Sequence, residues 1–175
     1  MKVFIREIDP DSLQEIKLVA ERMRKTLIDV LGEDQGKAMY TLDWLENRVR
    51  WHLELRNNAK IYLAENANKN IIGQAIVRAE KDENGRDYGY FSTIYVAPEF
   101  RDQGVATNLI HQVENWCQAS GFYKIIYNTA EDNHKLIRLY EKFGFSITLR
   151  ESKMVQLTKS AMNITIIDEH LEGNK

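Results

Sequence analysis

The chain has 175 residues, and its 24 Lys and Arg stand against 26 Asp and Glu for a formal net charge of -2. This length suits one ordinary domain whose core needs neither disulfides nor a structural metal; one Cys excludes an internal disulfide, and four His show no zinc-ligand spacing. Balanced charge offers no global field for nucleic acid or an anionic membrane, no apolar run approaches the roughly 20 residues that cross a bilayer, and the cysteine usage fits a reducing, cytoplasmic setting.

Val3 and Ile5 alternate with polar residues up to Asp9-Pro10, a short strand. Asp11 or Ser12 then caps a helix in which Leu13, Ile16, Val19 or Ala20, Met23, Leu27 and Leu31 recur at three- and four-residue steps, closed by Gly32. A second helix, Tyr40–Leu55, is apolar on two faces: Leu42, Leu45, Val49 and His52 or Leu53 form one stripe, and Trp44, Trp51 and Leu55 another. Such a helix covers a core and something else.

Ile61–Glu65 and Ile71–Arg78 read as a hairpin across the turn Asn66–Asn70. After a second turn at Asp82–Arg86, Tyr88–Val96 reads as a long third strand stopped at Pro98. Beyond Gly104 the period becomes helical, with Val105, Leu109, Ile110, Val113, Trp116 and Cys117 on one side and Gly121 as the stop. Lys124–Thr129 reads as a buried strand. Asp132 or Asn133 caps a helix to Phe143 closed by Gly144, and Phe145–Leu149 with Lys153–Leu157 make a last strand pair. The order βααβββαβαββ predicts one α+β domain over residues 1–160. The tail, 161–175, carries the apolar run Asn163–Ile167, which reads as an edge strand, as a strand given to a partner chain in a homodimer, or as disorder.

The stretch Val96-Ala97-Pro98-Glu99-Phe100-Arg101-Asp102-Gln103-Gly104-Val105-Ala106 runs from a strand through a tight turn into a helix. The first N–H groups of a helix lack partners and sit at the positive end of its dipole, so an anion binds there without a basic side chain. This loop alone divides evenly between a phosphate site and an ordinary corner. Downstream, Asn133 and Tyr140 are seven residues apart and share one helix face.

With both motifs in view, the chain resembles the GNAT superfamily of N-acetyltransferases. Arg101, Gly104 and Ala106 match its Arg/Gln-x-x-Gly-x-Gly/Ala signature after Val96-Ala97-Pro98, and Asn133, Tyr140, Gly144 and Phe145 match its second motif. The resemblance implies a mixed, mostly antiparallel central sheet flanked by helices. It implies acetyl-CoA as cosubstrate, its pyrophosphate on Arg101, Asp102, Gln103, Gly104, Val105, Ala106 and Thr107, its pantetheine along Ile94, Tyr95 and Val96, Asn133 on the pantetheine arm or its loop, and Tyr140 as the general acid. No metal is implied.

Two positions depart from the pattern: Leu136 stands where the family commonly has Ala, and Asp102 puts a carboxylate in the phosphate loop, so its side chain is expected to face solvent. No carboxylate lies within Tyr88–Val96 to serve as base. Asp87, Glu65 and Glu80 near strand ends are candidates, as is an ordered water chain; if none reaches the site, a low-pKa amine such as an α-amino group is the expected acceptor, since deprotonating it costs roughly 1 kcal/mol against about 4.6 for a lysine-like amine. Tyr40, Trp44 and Trp51 read as an acceptor-pocket lining, as core packing or as a dimer surface.

Apart from the family match, Tyr140 among Leu136, Leu139 and Phe143 reads as a core tyrosine. His52, His111, His134 and His170 read as surface or structural, and Cys117 as an inert buried thiol. The function expected is direct acetyl transfer from acetyl-CoA to a primary amine of a small molecule or peptide, with no nucleic-acid or membrane partner. The alternative is a non-catalytic acyl-CoA-binding regulatory module of the same fold.

Overall fold

Ser12 sets the start of the first helix: its Oγ accepts the Glu15 N–H at 3.2 Å, and α1 runs Leu13–Leu31. Arg6 on β1 (Phe4–Glu7) clamps this corner, donating to both oxygens of Glu15 at 2.9 and 3.0 Å and to Glu65 at 2.7 Å. Gly32, at φ 88°, ends α1 and at once begins a short helix that the sequence pattern did not indicate, α2 (Glu33–Met39). Thr41 caps α3 (Leu42–Glu54), accepting from the Trp44 N–H at 3.0 Å. The apolar stripe Leu45, Val49 and His52 is buried, while Trp44 stays 43% exposed.

The computed structural model describes residues 1–161, and the tail readings beyond that point lie outside the described residues. The chain continues through β2 (Ala59–Glu65), β3 (Ile71–Lys81), β4 (Asp87–Val96), α4 (Val105–Ala119), β5 (Lys124–Ala130), α5 (His134–Lys142), β6 (Ser146–Glu151) and β7 (Met154–Ser160). Apart from the added α2, this is the expected order. The seven strands form one sheet, β1-β2-β3-β4-β5-β7-β6. Every neighbouring pair is antiparallel except β4 and β5. The fold is therefore α+β with a mixed, mostly antiparallel sheet, as expected.

Alternation along the strands sends two sets of side chains to opposite faces. On one face Val77, Phe91, Ile125 and Leu157 pack with Leu109, Val113, Ile137 and Tyr140 of α4 and α5. On the other, Ile61, Leu63 and Ile76 pack with Ile16, Val19, Leu45 and Val49 of α1 and α3. Among the described residues no helix is long and apolar enough to cross a membrane.

Candidate active site

The pairing of β4 with β5 stops early. Only Gly89, Tyr90 and Phe91 are in register, with Ile125, Ile126 and Tyr127. On its other side β4 remains paired with β3 as far as Val96. The β3 partner steps from Thr93 to Phe91 between Ile76 and Val77, leaving Ser92 as an unmatched bulge residue. A bulge bends and twists its strand, so β4 diverges from β5 from Ser92 onward. Among the described residues the strand edge from Ser92 to Val96 then has no strand opposite it, which leaves its backbone groups to pair with an extended ligand.

A cleft of about 820 Å³ occupies this fork. Ile94, Tyr95 and Val96 form its floor, and Gly104, Val105, Ala106 and Thr107 form one end. Gly104 takes a left-handed conformation, φ 84° and ψ 5°, ahead of α4; Asn108 is the first amide to bond back, to the Gly104 carbonyl at 3.1 Å. The N–H groups of Val105, Ala106 and Thr107 precede it and have no intrahelical acceptor. The turn needs a residue that tolerates positive φ, and open space surrounds Gly104.

Of the site residues read from sequence, Ile94, Tyr95, Val96, Arg101, Asp102, Gly104, Val105, Ala106, Thr107 and Asn133 line this one cleft. Gln103 does not; its side-chain amide donates to the Glu99 carbonyl at 3.1 Å. Asn133 donates to Thr129 Oγ1 at 3.1 Å, tying the start of α5 to the end of β5. Arg101 turns back to donate to the Val96 carbonyl at 2.9 Å and lies 3.6 Å from Asp29 on α1. Asp102 is exposed, at φ 60°, and pairs with Lys135 of α5 at 3.0 Å.

Sequence reasoning missed two walls of the cleft. The C-terminal part of α1 contributes Thr26, Asp29 and Val30, which no local signal connects to the loop before α4. On α5, Lys135, Arg138 and Lys142 line the cleft together with Leu136 and Leu139. Their spacing of three and four residues was a readable signal, since it puts all three cations on one face. Basic side chains therefore join the backbone amides at this cleft, with Arg138 and Lys142 on the α5 face beside the Lys135–Asp102 pair, a local clustering that the net charge does not register.

Tyr140 is not a lining residue of the cleft. It is fully buried, its hydroxyl has no hydrogen-bond partner among the described residues, and burial holds its pKa well above the ordinary tyrosine value. Its ring contacts Phe91 and Tyr127, the last residues paired before the strands part, and so backs the apex of the fork. The three carboxylates considered as bases are also outside the cleft and engaged: Glu65 by Arg6 at 2.7 Å, Glu80 by Arg78 at 2.6 Å and Asp87 by Lys81 at 2.8 Å. Cys117 is buried, and burial pushes its thiol up to about 12, which suits an inert core residue. Among the described residues no group of three or more His, Cys, Asp or Glu is arranged to hold a metal.

The match to known proteins now decides what this fork belongs to. The profile of the acetyltransferase (GNAT) family matches residues 20–145. The chain belongs to this family. It is similar to an aminoglycoside N(6')-acetyltransferase type 1 of Acinetobacter genomosp. 13, with 34% identity over 61 residues, 35% of this chain and 42% of that one. It is also similar to N-alpha-acetyltransferase 20 of Dictyostelium discoideum, with 32% identity over 87 residues, 49% of each chain. The chain thus matches about half the length, or less, of these two relatives. Among GNAT structures, that of a phosphinothricin acetyltransferase from Sinorhizobium meliloti in complex with acetyl-CoA has a TM-score of 0.74 over 91% of this chain and 89% of that one. At 17% identity the likeness is one of fold.

Proposed function

We propose that this GNAT protein is an N-acetyltransferase that transfers acetyl from acetyl-CoA directly to a primary amine. The observation that carries the reading is the fork: an unpaired stretch of β4, a helix N-terminus with free amides and a basic face of α5 converge on one cleft. These are the partners that an extended diamide arm ending in a pyrophosphate requires. Bound acetyl-CoA supplies a thioester whose acetyl group passes to the amine as the thiol is released.

In this reading Val105, Ala106 and Thr107 hold pyrophosphate through their N–H groups, Ile94 and Tyr95 offer backbone to the diamide arm, and Lys135, Arg138 and Lys142 neutralise phosphate charge. Tyr140 is the proton donor at the apex of the fork. Its raised pKa keeps the hydroxyl protonated in the resting protein, and among the described residues no partner commits that proton elsewhere. Because Glu65, Glu80 and Asp87 are tied up elsewhere, the acceptor's amine is of low pKa, such as an α-amino group, and needs no dedicated base.

The acceptors named for the relatives, an aminoglycoside and phosphinothricin, differ widely in charge, so family membership leaves the class open. Thiol release from acetyl-CoA across a panel of amines tests the reading. Acceptor-dependent release is expected; CoA binding with no release for any amine would instead support an acyl-CoA-binding module. A rate that stays flat down to pH 6 with a high-pKa polyamine would overturn the low-pKa acceptor.

A further inference from the structure

A continuous wall of aromatic and cationic side chains begins beside the fork, on the sheet face that carries α1 and α3. Tyr90 is one residue before the parting point of β4 and β5, and its β3 partner is Arg78. The Arg78 guanidinium lies 4.5 Å from the Tyr90 ring centroid and 5.4 Å from that of Trp51. Arg48 lies over Trp51 at 3.9 Å and reaches Trp44 at 6.0 Å, and Trp44 stacks on Tyr40 with centroids 3.9 Å apart. Trp44 and Trp51 belong to the second apolar stripe of α3 and pack in neither core cluster, while Tyr40, just before the helix, packs against the core beneath α1 and α3.

The charges in this wall do not balance. Arg78 donates to Glu80 at 2.6 Å and is within 3.2 Å of His52 Nε2. His52 contributes no charge at neutral pH, because burial pushes its pKa down to about 4. The guanidinium of Arg48, half-buried, has no carboxylate or hydrogen-bond acceptor paired with it among the described residues. Burial and the neighbouring Arg78 depress its pKa, and the charge of Glu80, which is bonded to Arg78, offsets them only in part. A second cation would meet ring faces already taken by guanidinium and a site already positive. A carboxylate would meet the uncommitted forked donors of Arg48, which match its geometry.

We infer that the wall of Tyr40, Trp44, Arg48, Trp51, Arg78 and Tyr90 is the acceptor subsite and that it selects amines carrying a carboxylate. Arg48 is its specificity-determining residue. The inference rests on the acetyltransferase reading and narrows its substrate class.

The experiment compares matched acceptors that differ only in the anion, glycylglycine against glycylglycinamide and β-alanine against β-alaninamide, with putrescine as the dication. Thiol release is measured for each with wild type, Arg48→Met and Arg48→Lys. The carboxylate members are expected to exceed their amides at least tenfold in kcat/KM, mainly through KM, and to exceed putrescine. Arg48→Met should bring each pair within about twofold, and Arg48→Lys should keep part of the preference even if the Met variant folds poorly. Glu80→Gln, which frees Arg78, should lower KM for the carboxylates. Equal rates for acids and amides in wild type, or a preference that survives Arg48→Met, would overturn the inference while leaving the acetyltransferase intact. No release with any amine would overturn the acetyltransferase reading; calorimetric titration of glycylglycine into CoA-loaded protein then judges the anion site by itself, with binding lost in Arg48→Met supporting it and no binding to wild type overturning it.

Discussion

The ring of Tyr140 stacks on that of Tyr127, with centroids 4.3 Å apart and planes 15° from parallel. Phe91 and Phe145 meet the Tyr140 ring edge-on at 5.6 and 5.0 Å. Four aromatic rings thus brace the point where β4 and β5 separate. The only polar atom that Tyr140 adds to this cluster is a hydroxyl without a partner, and a buried unpaired hydroxyl costs about 1–3 kcal/mol. Tyr140→Phe keeps the ring packing and removes that cost, so the variant should be as stable as wild type or more so in denaturant unfolding. If the hydroxyl is the proton donor, kcat falls about 100-fold with little change in KM for acetyl-CoA. Full activity in Tyr140→Phe would make Tyr140 a core residue only.

Asp102 places a carboxylate at the mouth of the cleft and occupies Lys135. The pair is exposed and adds little stability. Asp102→Asn should leave unfolding unchanged and tighten CoA binding. A phosphate charge about 7 Å from the carboxylate would be repelled by about 0.6 kcal/mol in water, so two such charges would correspond to several-fold in Kd. The gain should shrink toward nothing at 0.5 M salt, where charges at this distance are screened. Unchanged affinity at low salt would mean that Asp102 and Lys135 stand clear of the phosphates.

His52 is 2% exposed, its Nδ1 bonded to the Arg48 carbonyl at 2.8 Å and its Nε2 facing Arg78 at 3.2 Å. Only the neutral ring fits: Nδ1–H donates and Nε2 accepts. Burial lowers the folded-state pKa from 6.5 to about 4. A depressed histidine pKa means that the unfolded chain binds the proton more readily, so this contribution is complete above pH 6.5 and is lost as pH falls toward 4. The loss amounts to up to about 3 kcal/mol. Melting curves should show Tm dropping across that window, and His52→Gln should flatten the drop while lowering Tm at neutral pH.

A Cβ on Gly89 would lie 2.5 Å from Cys117 Sγ. Gly89→Ala should therefore cost about 1–3 kcal/mol through overpacking between β4 and α4. Cys117→Ala in the same chain should recover most of the loss in urea unfolding. Additive losses in the double variant would place the strain elsewhere.

Much of the architecture was legible because burial imposes a period. The stripes beginning at Ile16, Leu45 and Leu109 each mark a helix face that the core requires, and the residues of the Arg101–Thr107 loop, apart from Gln103, do meet Ile94–Val96 and Asn133 in one cleft. The exception among the helices is α2. Gly36 in its middle argues against a helix by propensity, yet a Cβ there would come within 2.5 Å of the Ile28 backbone, so close packing on α1 requires the glycine.

Apart from α2, the order of elements, the two faces of the sheet and the strand-turn-helix corner at Gly104 follow from the sequence by itself, because each depends on residues near one another in the chain. The tertiary structure decided the rest. The β4–β5 fork arises from a bulge at Ser92, which becomes visible only when β3 is laid beside β4. The wall from α1, the hydroxyl of Tyr140 without a partner among the described residues and the guanidinium of Arg48 without a paired carboxylate among them likewise depend on distant segments. Whether a buried group finds a partner depends on what the fold brings to it, and periodicity along the chain carries no record of that.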